Sequence, residues 1–185
     1  MKKRFLLVST YLFIGFLQAQ NIQIDRYEET IKSFEEENKK LPLSQERVVL
    51  WGSSSFTNWK NFHAHLAPYN VINRGFGGST AAEAIYYFDR VVVPLKPKII
   101  FYYEGDNDIP AGFSVDSIFV NYRKMVAMVK KKLPGTKFVA LSVKYSPLRK
   151  KINRATEIIE RHGSRLCTFK FRSWIYRYYF TSIST

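Results

Sequence analysis

The sequence offers little for several common strategies. It has one cysteine, Cys167, so no internal disulfide is available and the fold must be held by its core. Its three histidines are His63, His65 and His162. His63-Ala64-His65 has no third ligand nearby and reads as solvated side chains, so no metal and no cofactor is expected. No internal repeat and no Gly-, Ser- or Pro-rich linker occurs. With 185 residues, the chain is read as one domain with a single core. Only one apolar run is long, and it lies at the start. Acidic residues are absent after Glu160.

That first run has the order of a secretory signal peptide. Lys2, Lys3 and Arg4 form a basic n-region, residues 5–17 an apolar h-region, and Leu17-Gln18-Ala19 resembles a cleavage site. Residues 1–19 are therefore read as a signal peptide and the mature chain as exported, periplasmic or secreted. An uncleaved anchor stays open as the alternative. The run is short for a bilayer span of about 20 residues, and no membrane contact is expected beyond this segment.

The formal net charge of +14 is unevenly placed. Residues 1–120 hold 13 Lys/Arg and 13 Asp/Glu, whereas residues 121–185 hold 16 Lys/Arg against Glu157 and Glu160 alone. Such asymmetry can mark a nucleic-acid or membrane partner. Here the end of the chain, from Phe169 to Phe180, is aromatic and basic with neither helical nor alternating period. Residues 166–185 are read as an aberrant, frameshifted or otherwise altered tail, with an odd but genuine tail as the alternative. No nucleic-acid partner is expected, because basic residues need a shaped face and stacking partners.

Between these ends, strands alternate with helices. Ile24, Tyr27, Ile31 and Phe34 at helical spacing predict an amphipathic helix over 24–40, ending before Pro42. Residues 47–51, 70–73, 98–103 and 136–143 read as apolar strands. Residues 80–93 and 149–162 read as helices, as does a segment capped by Ser114 and running to about 132. A fifth strand is expected to begin at 165–170. This order predicts an α/β fold with a mostly parallel sheet covered on both faces. Ligands in such folds bind beyond the carboxyl ends of the strands.

Three motifs fall at that edge. Gly52-Ser53-Ser54-Ser55 follows the first strand, Asn73-Arg74-Gly75-Phe76-Gly77-Gly78 the second, and Gly105-Asp106-Asn107-Asp108 the third. A serine on a strand-to-helix turn sits near unpaired backbone N–H groups. The same serines are compatible with plain helix capping, or with a phosphate cradle. Glycines after a strand and Asn-Asp in a loop are, taken singly, ordinary turn chemistry. Their coincidence at one edge says more than any one of them.

Together the motifs resemble the SGNH, or GDSL-type, esterase and acylhydrolase family over roughly residues 46–155. Gly52-Ser53-Ser54 matches its Gly-Asp-Ser block, with Ser53 in place of the aspartate. Asn73 and Gly78 match its second block, and Gly105-Asp106-Asn107-Asp108 its third. The resemblance implies a flavodoxin-like three-layer α/β/α sandwich with about five mostly parallel strands, spanning 20–165 as an incomplete domain. It also implies Ser54 as nucleophile, with the Ser54 N–H, Gly78 N–H and Asn107 side chain as an oxyanion hole. The implied substrate is a small-molecule or glycan ester, an acyl or acetyl group on a glycan or lipid; oligomeric state is not legible.

The family's fourth block, Asp-x-x-His, is absent. Asp25, Asp89, Asp106, Asp108 and Asp116 all lack a histidine three residues on. His63, nine residues beyond Ser54, would lie roughly 13 Å away along a continuous helix. His162 is expected at the opposite edge of the sheet. The chain is therefore expected to be inactive or weakly active in this form. A non-catalytic ligand-binding protein that keeps the cleft is the alternative.

Overall fold

The computed structural model describes residues 25–42 and 46–141, Val143, and the backbone of Ile24 and of residues 180–182. A short 3-10 turn, Ile24–Tyr27, leads into α1 (Glu28–Lys40). The expected helix over 24–40 is thus present, tightened at its start. β1 (Arg47–Gly52) follows, then a single helical turn α2 (Ser54–Thr57) and a second short one, α3 (Phe62–His65). Next come β2 (Asn70–Gly75), α4 (Ala81–Val91), β3 (Ile99–Tyr103), α5 (Val115–Lys132) and β4 (Lys137–Leu141). Ser114 caps α5 by accepting from the Ser117 N–H. The helix expected over 149–162, the strand start at 165–170 and the segment 1–19 lie outside the described residues.

The strands run in the order β2-β1-β3-β4, all parallel, with β5 (Phe180–Ser182) antiparallel beside β4. The fifth strand therefore includes residues of the terminal segment that was expected to be aberrant. Each strand alternates between two apolar faces, which is why its sequence is apolar throughout. Val49, Trp51, Ile72, Ile100, Tyr102, Phe138 and Ala140 face one core, closed by Ile31 of α1, Ala84 and Phe88 of α4, and Met125 and Val129 of α5. Leu50, Val71, Tyr103, Val139 and Leu141 face a second, covered by Phe56, Trp59, Phe62 and Leu66. The result is the three-layer α/β/α sandwich; among the described residues, the layer over the second core is the irregular 54–66 segment.

Charged contacts fix the helices outside the first core. Arg90 of α4 reaches both Glu28 and Glu35 of α1 at 2.8–2.9 Å. Arg74 of β2, almost wholly buried, donates to Glu37 and to Asn38 Oδ1. The Arg74 guanidinium also lies over the Phe34 ring.

Candidate active site

All three motif loops lie at the carboxyl edge of the parallel strands, and glycines let them interlock. Gly52 ends β1 at φ +146, and a Cβ there would lie 2.0 Å from the Tyr103 carbonyl oxygen. No other residue fits that approach. Its carbonyl accepts from the Phe76 N–H at 2.8 Å, and Ser53 N–H donates to Tyr103 O at 3.1 Å. The β1 loop is thereby tied to the loops after β2 and β3.

Ser53 is buried and Ser54 is partly open. Ser53 precedes α2 in extended geometry, yet its hydroxyl makes no capping bond and has no partner among the described residues. Simple capping by Ser53 is therefore not what this turn does. α2 spans four residues, so a long helix dipole behind Ser54 is also absent. The turn is instead held by Asn73: its Nδ2 donates to Phe56 O at 2.8 Å, and its Oδ1 accepts from Gly75 N–H at 2.9 Å. Gly75 itself admits no side chain, because a Cβ would sit 2.7 Å from Phe56 Cβ and Thr57 N.

The glycine loop passes directly beside the serine. A Cβ built on Gly77 would lie 3.7 Å from both Cα and Cβ of Ser54. Gly78 follows at φ +85. Among the described residues nothing accepts a hydrogen bond from its N–H. From the third loop, Asn107 Nδ2 donates to Ser79 O at 2.9 Å. Ser54 and Asn107 thus both lie against the same short stretch, 77–79. An amide nitrogen carries two protons, so Asn107 keeps one for a further acceptor.

Around this stretch lies a buried polar network that sequence reasoning missed. Asp108 receives the Ala81 N–H on both oxygens at 3.1 Å, at the start of α4. Thr80 and Glu83 form a capping box there. The Thr80-x-x-Glu83 spacing is a readable signal for it. Glu104, fully buried, receives the Ser79 hydroxyl at 2.6 Å, and its backbone carbonyl accepts from Tyr122 at 2.7 Å. Burial pushes the Glu104 carboxyl well above its ordinary range, against the Ser79 hydrogen bond and with help from the charges of Asp108 and Asp106. Burial likewise raises Asp108, to about 6. From the amino-terminal side, Arg26 donates to both Glu83 oxygens at 2.7 Å and to Gly78 O at 3.1 Å, while Tyr27 donates to Gly77 O at 3.1 Å.

The histidines of α3 do not join this cluster. The chain after Ser54 is not one continuous helix: it breaks at residues 58–61, so the spacing of a straight helix does not apply to His63. His63 and His65 are exposed; His65 Nδ1 accepts from Trp59 Nε1 at 2.8 Å, and His63 stacks on Phe62. His162 lies outside the described residues. Among the described residues no group of three His, Cys, Asp or Glu side chains is placed to hold a metal.

A serine turn, a glycine loop and an asparagine loop, following successive strands at one edge of a flavodoxin-like sheet, define an SGNH-type hydrolase scaffold. The sequence profile of the GDSL-like Lipase/Acylhydrolase family matches residues 42–169, and the chain belongs to that family. No curated protein is significantly similar in sequence. Among solved structures, a GDSL-like lipase from Bacteroides thetaiotaomicron is similar at 26% identity and a TM-score of 0.59, covering 73% of this chain and 70% of that one. A provisionally assigned acylhydrolase from Bacteroides fragilis shares the fold at 22% identity and a TM-score of 0.58, covering 80% and 74%. An acetylxylan esterase from Geobacillus stearothermophilus shares it at 15% identity and a TM-score of 0.52, covering 68% and 75%.

Proposed function

We propose that this chain is an exported serine esterase scaffold that hydrolyses carboxylic esters, with Ser54 as the nucleophile. The observation that carries the reading is that Ser54 packs against Gly77 while Asn107 donates to Ser79 O, two residues further along the same loop. In this scheme Ser54 Oγ bonds to the ester carbonyl carbon, and its proton passes to solvent water, the sequence having no Asp-x-x-His to receive it. The Ser54 N–H, Gly78 N–H and Asn107 Nδ2 receive the charge that develops on the carbonyl oxygen. Collapse expels the alcohol, which regains a proton, and water repeats the sequence to release the carboxylic acid. No cofactor is used.

The substrate class proposed is an acyl or acetyl ester on a glycan or lipid. An acetylxylan esterase is among the proteins that share the fold, which makes acetylated glycans the first class to try. Export rests on Lys2, Lys3, Arg4 and the apolar residues 5–17. The activity proposed for the 185-residue chain is weak, because it has no Asp-x-x-His to take the serine proton. The same absence favours the second reading, a ligand-binding protein that keeps the cleft. Hydrolysis of p-nitrophenyl acetate separates the two. Weak turnover that disappears in both Ser54→Ala and Asn107→Ala is expected; equal turnover in all three chains favours the binding protein.

A further inference from the structure

We propose that Tyr27 is a positioning residue that aims the Gly78 N–H at the oxyanion, acting through the Gly77–Gly78 peptide. The inference rests on the esterase reading above. The Tyr27 hydroxyl donates to Gly77 O at 3.1 Å. The Gly77 carbonyl and the Gly78 N–H belong to one planar peptide unit and point in opposite directions. Fixing the oxygen therefore fixes the direction of the N–H. A hydrogen bond accepted at the oxygen also polarises the N–H, a cooperative gain of about 10–30% per bond.

The need for such a hold follows from the loop itself. Gly77 and Gly78 are the most permissive residue type in sequence, and Gly78 sits at φ +85. Among the described residues no acceptor holds the Gly78 N–H directly, as a donor reserved for a ligand requires. The next peptide is held separately, by Arg26 Nη2 on Gly78 O at 3.1 Å. Arg26 is in turn anchored by both oxygens of Glu83, in the α4 capping box. Tyr27 is fixed by its own packing: its ring stands edge-on to Phe76 at 5.0 Å, and the Arg26 guanidinium lies 4.6 Å over it. Burial raises the Tyr27 hydroxyl to about 12, so it remains a donor throughout the neutral range. The amino-terminal turn thus contributes two consecutive backbone holds to the loop beside Ser54.

The test is Tyr27→Phe in the full 185-residue chain, which keeps the ring packing and removes only the hydroxyl. Two readouts are taken: the 1H–15N signal and hydrogen exchange of the Gly78 amide, and p-nitrophenyl acetate kinetics. The expected result is a shifted, faster-exchanging Gly78 amide and a kcat about tenfold lower at unchanged KM, less than the 10²–10³ of losing a donor outright. An unmoved Gly78 amide overturns the proposal. So does an unchanged kcat when wild-type turnover is abolished by Ser54→Ala. Turnover insensitive to Ser54→Ala instead marks failure of the esterase reading, and the Gly78 amide then decides alone whether Tyr27 holds this peptide.

Discussion

At the residue scale, the unusual cost of this site is buried acid. Glu104 is fully buried and one of its carboxyl oxygens has no partner among the described residues. Its carboxyl is raised well above 4.5 in the fold, so the folded chain holds a proton that the unfolded chain releases. The stability it permits is complete below pH 4.5 and is lost as pH rises through the raised range. Asp108 has the same sign, over a window from 3.8 to about 6. Glu104→Gln keeps an acceptor for the Ser79 hydroxyl and cannot ionise. Its urea midpoint should therefore gain on the wild type as pH rises above about 6, where Asp108 has already ionised. A single proton contributes at most ~1.4 kcal/mol per pH unit to that divergence. Parallel curves for the two chains from pH 4.5 to 8 would show that Glu104 titrates normally. None of this was legible in the sequence. Glu104 merely follows the apolar stretch 98–103 in sequence, and only the fold shows that Ser79 and Tyr122 close over it.

At the element scale, the strands and long helices were legible because their apolar periods match what each buries. The strands are apolar on both faces, and α1 and α4 carry an apolar stripe. The 54–66 segment was not legible as two short turns. The fold there is decided by side chains from elsewhere, above all Asn73 reaching Phe56 O. The motif glycines were legible as turns, but which of them is sterically compelled was not. Gly52→Ala drives a Cβ into Tyr103 O, a backbone atom that cannot retreat without breaking the β1–β3 register. A loss of at least about 3 kcal/mol is expected from this steric and conformational strain. Gly135 also has positive φ, +88, but nothing lies within 4 Å of an added Cβ. Gly135→Ala should cost only the left-handed backbone term, about 1–2 kcal/mol. Urea denaturation of both variants checks the contrast, and comparable losses would contradict it.

At the scale of the whole molecule, the parallel order β2-β1-β3-β4 places the three motif loops on one edge, as alternation of strands and helices implied. The antiparallel β5 could not be foreseen, because its aromatic, basic surroundings carry no period that marks residues 180–182 as a strand. Ser54, Gly78 and Asn107 were singled out by motif, and the fold brings the loops that carry them to one edge of the sheet. What the motif alone did not show is how the glycine loop is held: Tyr27 and Arg26 reach it from about fifty residues upstream. The central proposal is that Ser54 acts as nucleophile beside oxyanion donors from the glycine and asparagine loops, in a sequence that has no Asp-x-x-His to serve as its base. General acid–base assistance is typically worth 10²–10⁴-fold. The most direct measurement is p-nitrophenyl acetate turnover by the 185-residue chain and by a chain carrying a family-like ending with Asp-x-x-His, each with and without Ser54→Ala. A gain of at least about a hundredfold is expected with the new ending, on that estimate, and its complete loss in Ser54→Ala. Strong Ser54-dependent turnover by the 185-residue chain would contradict it.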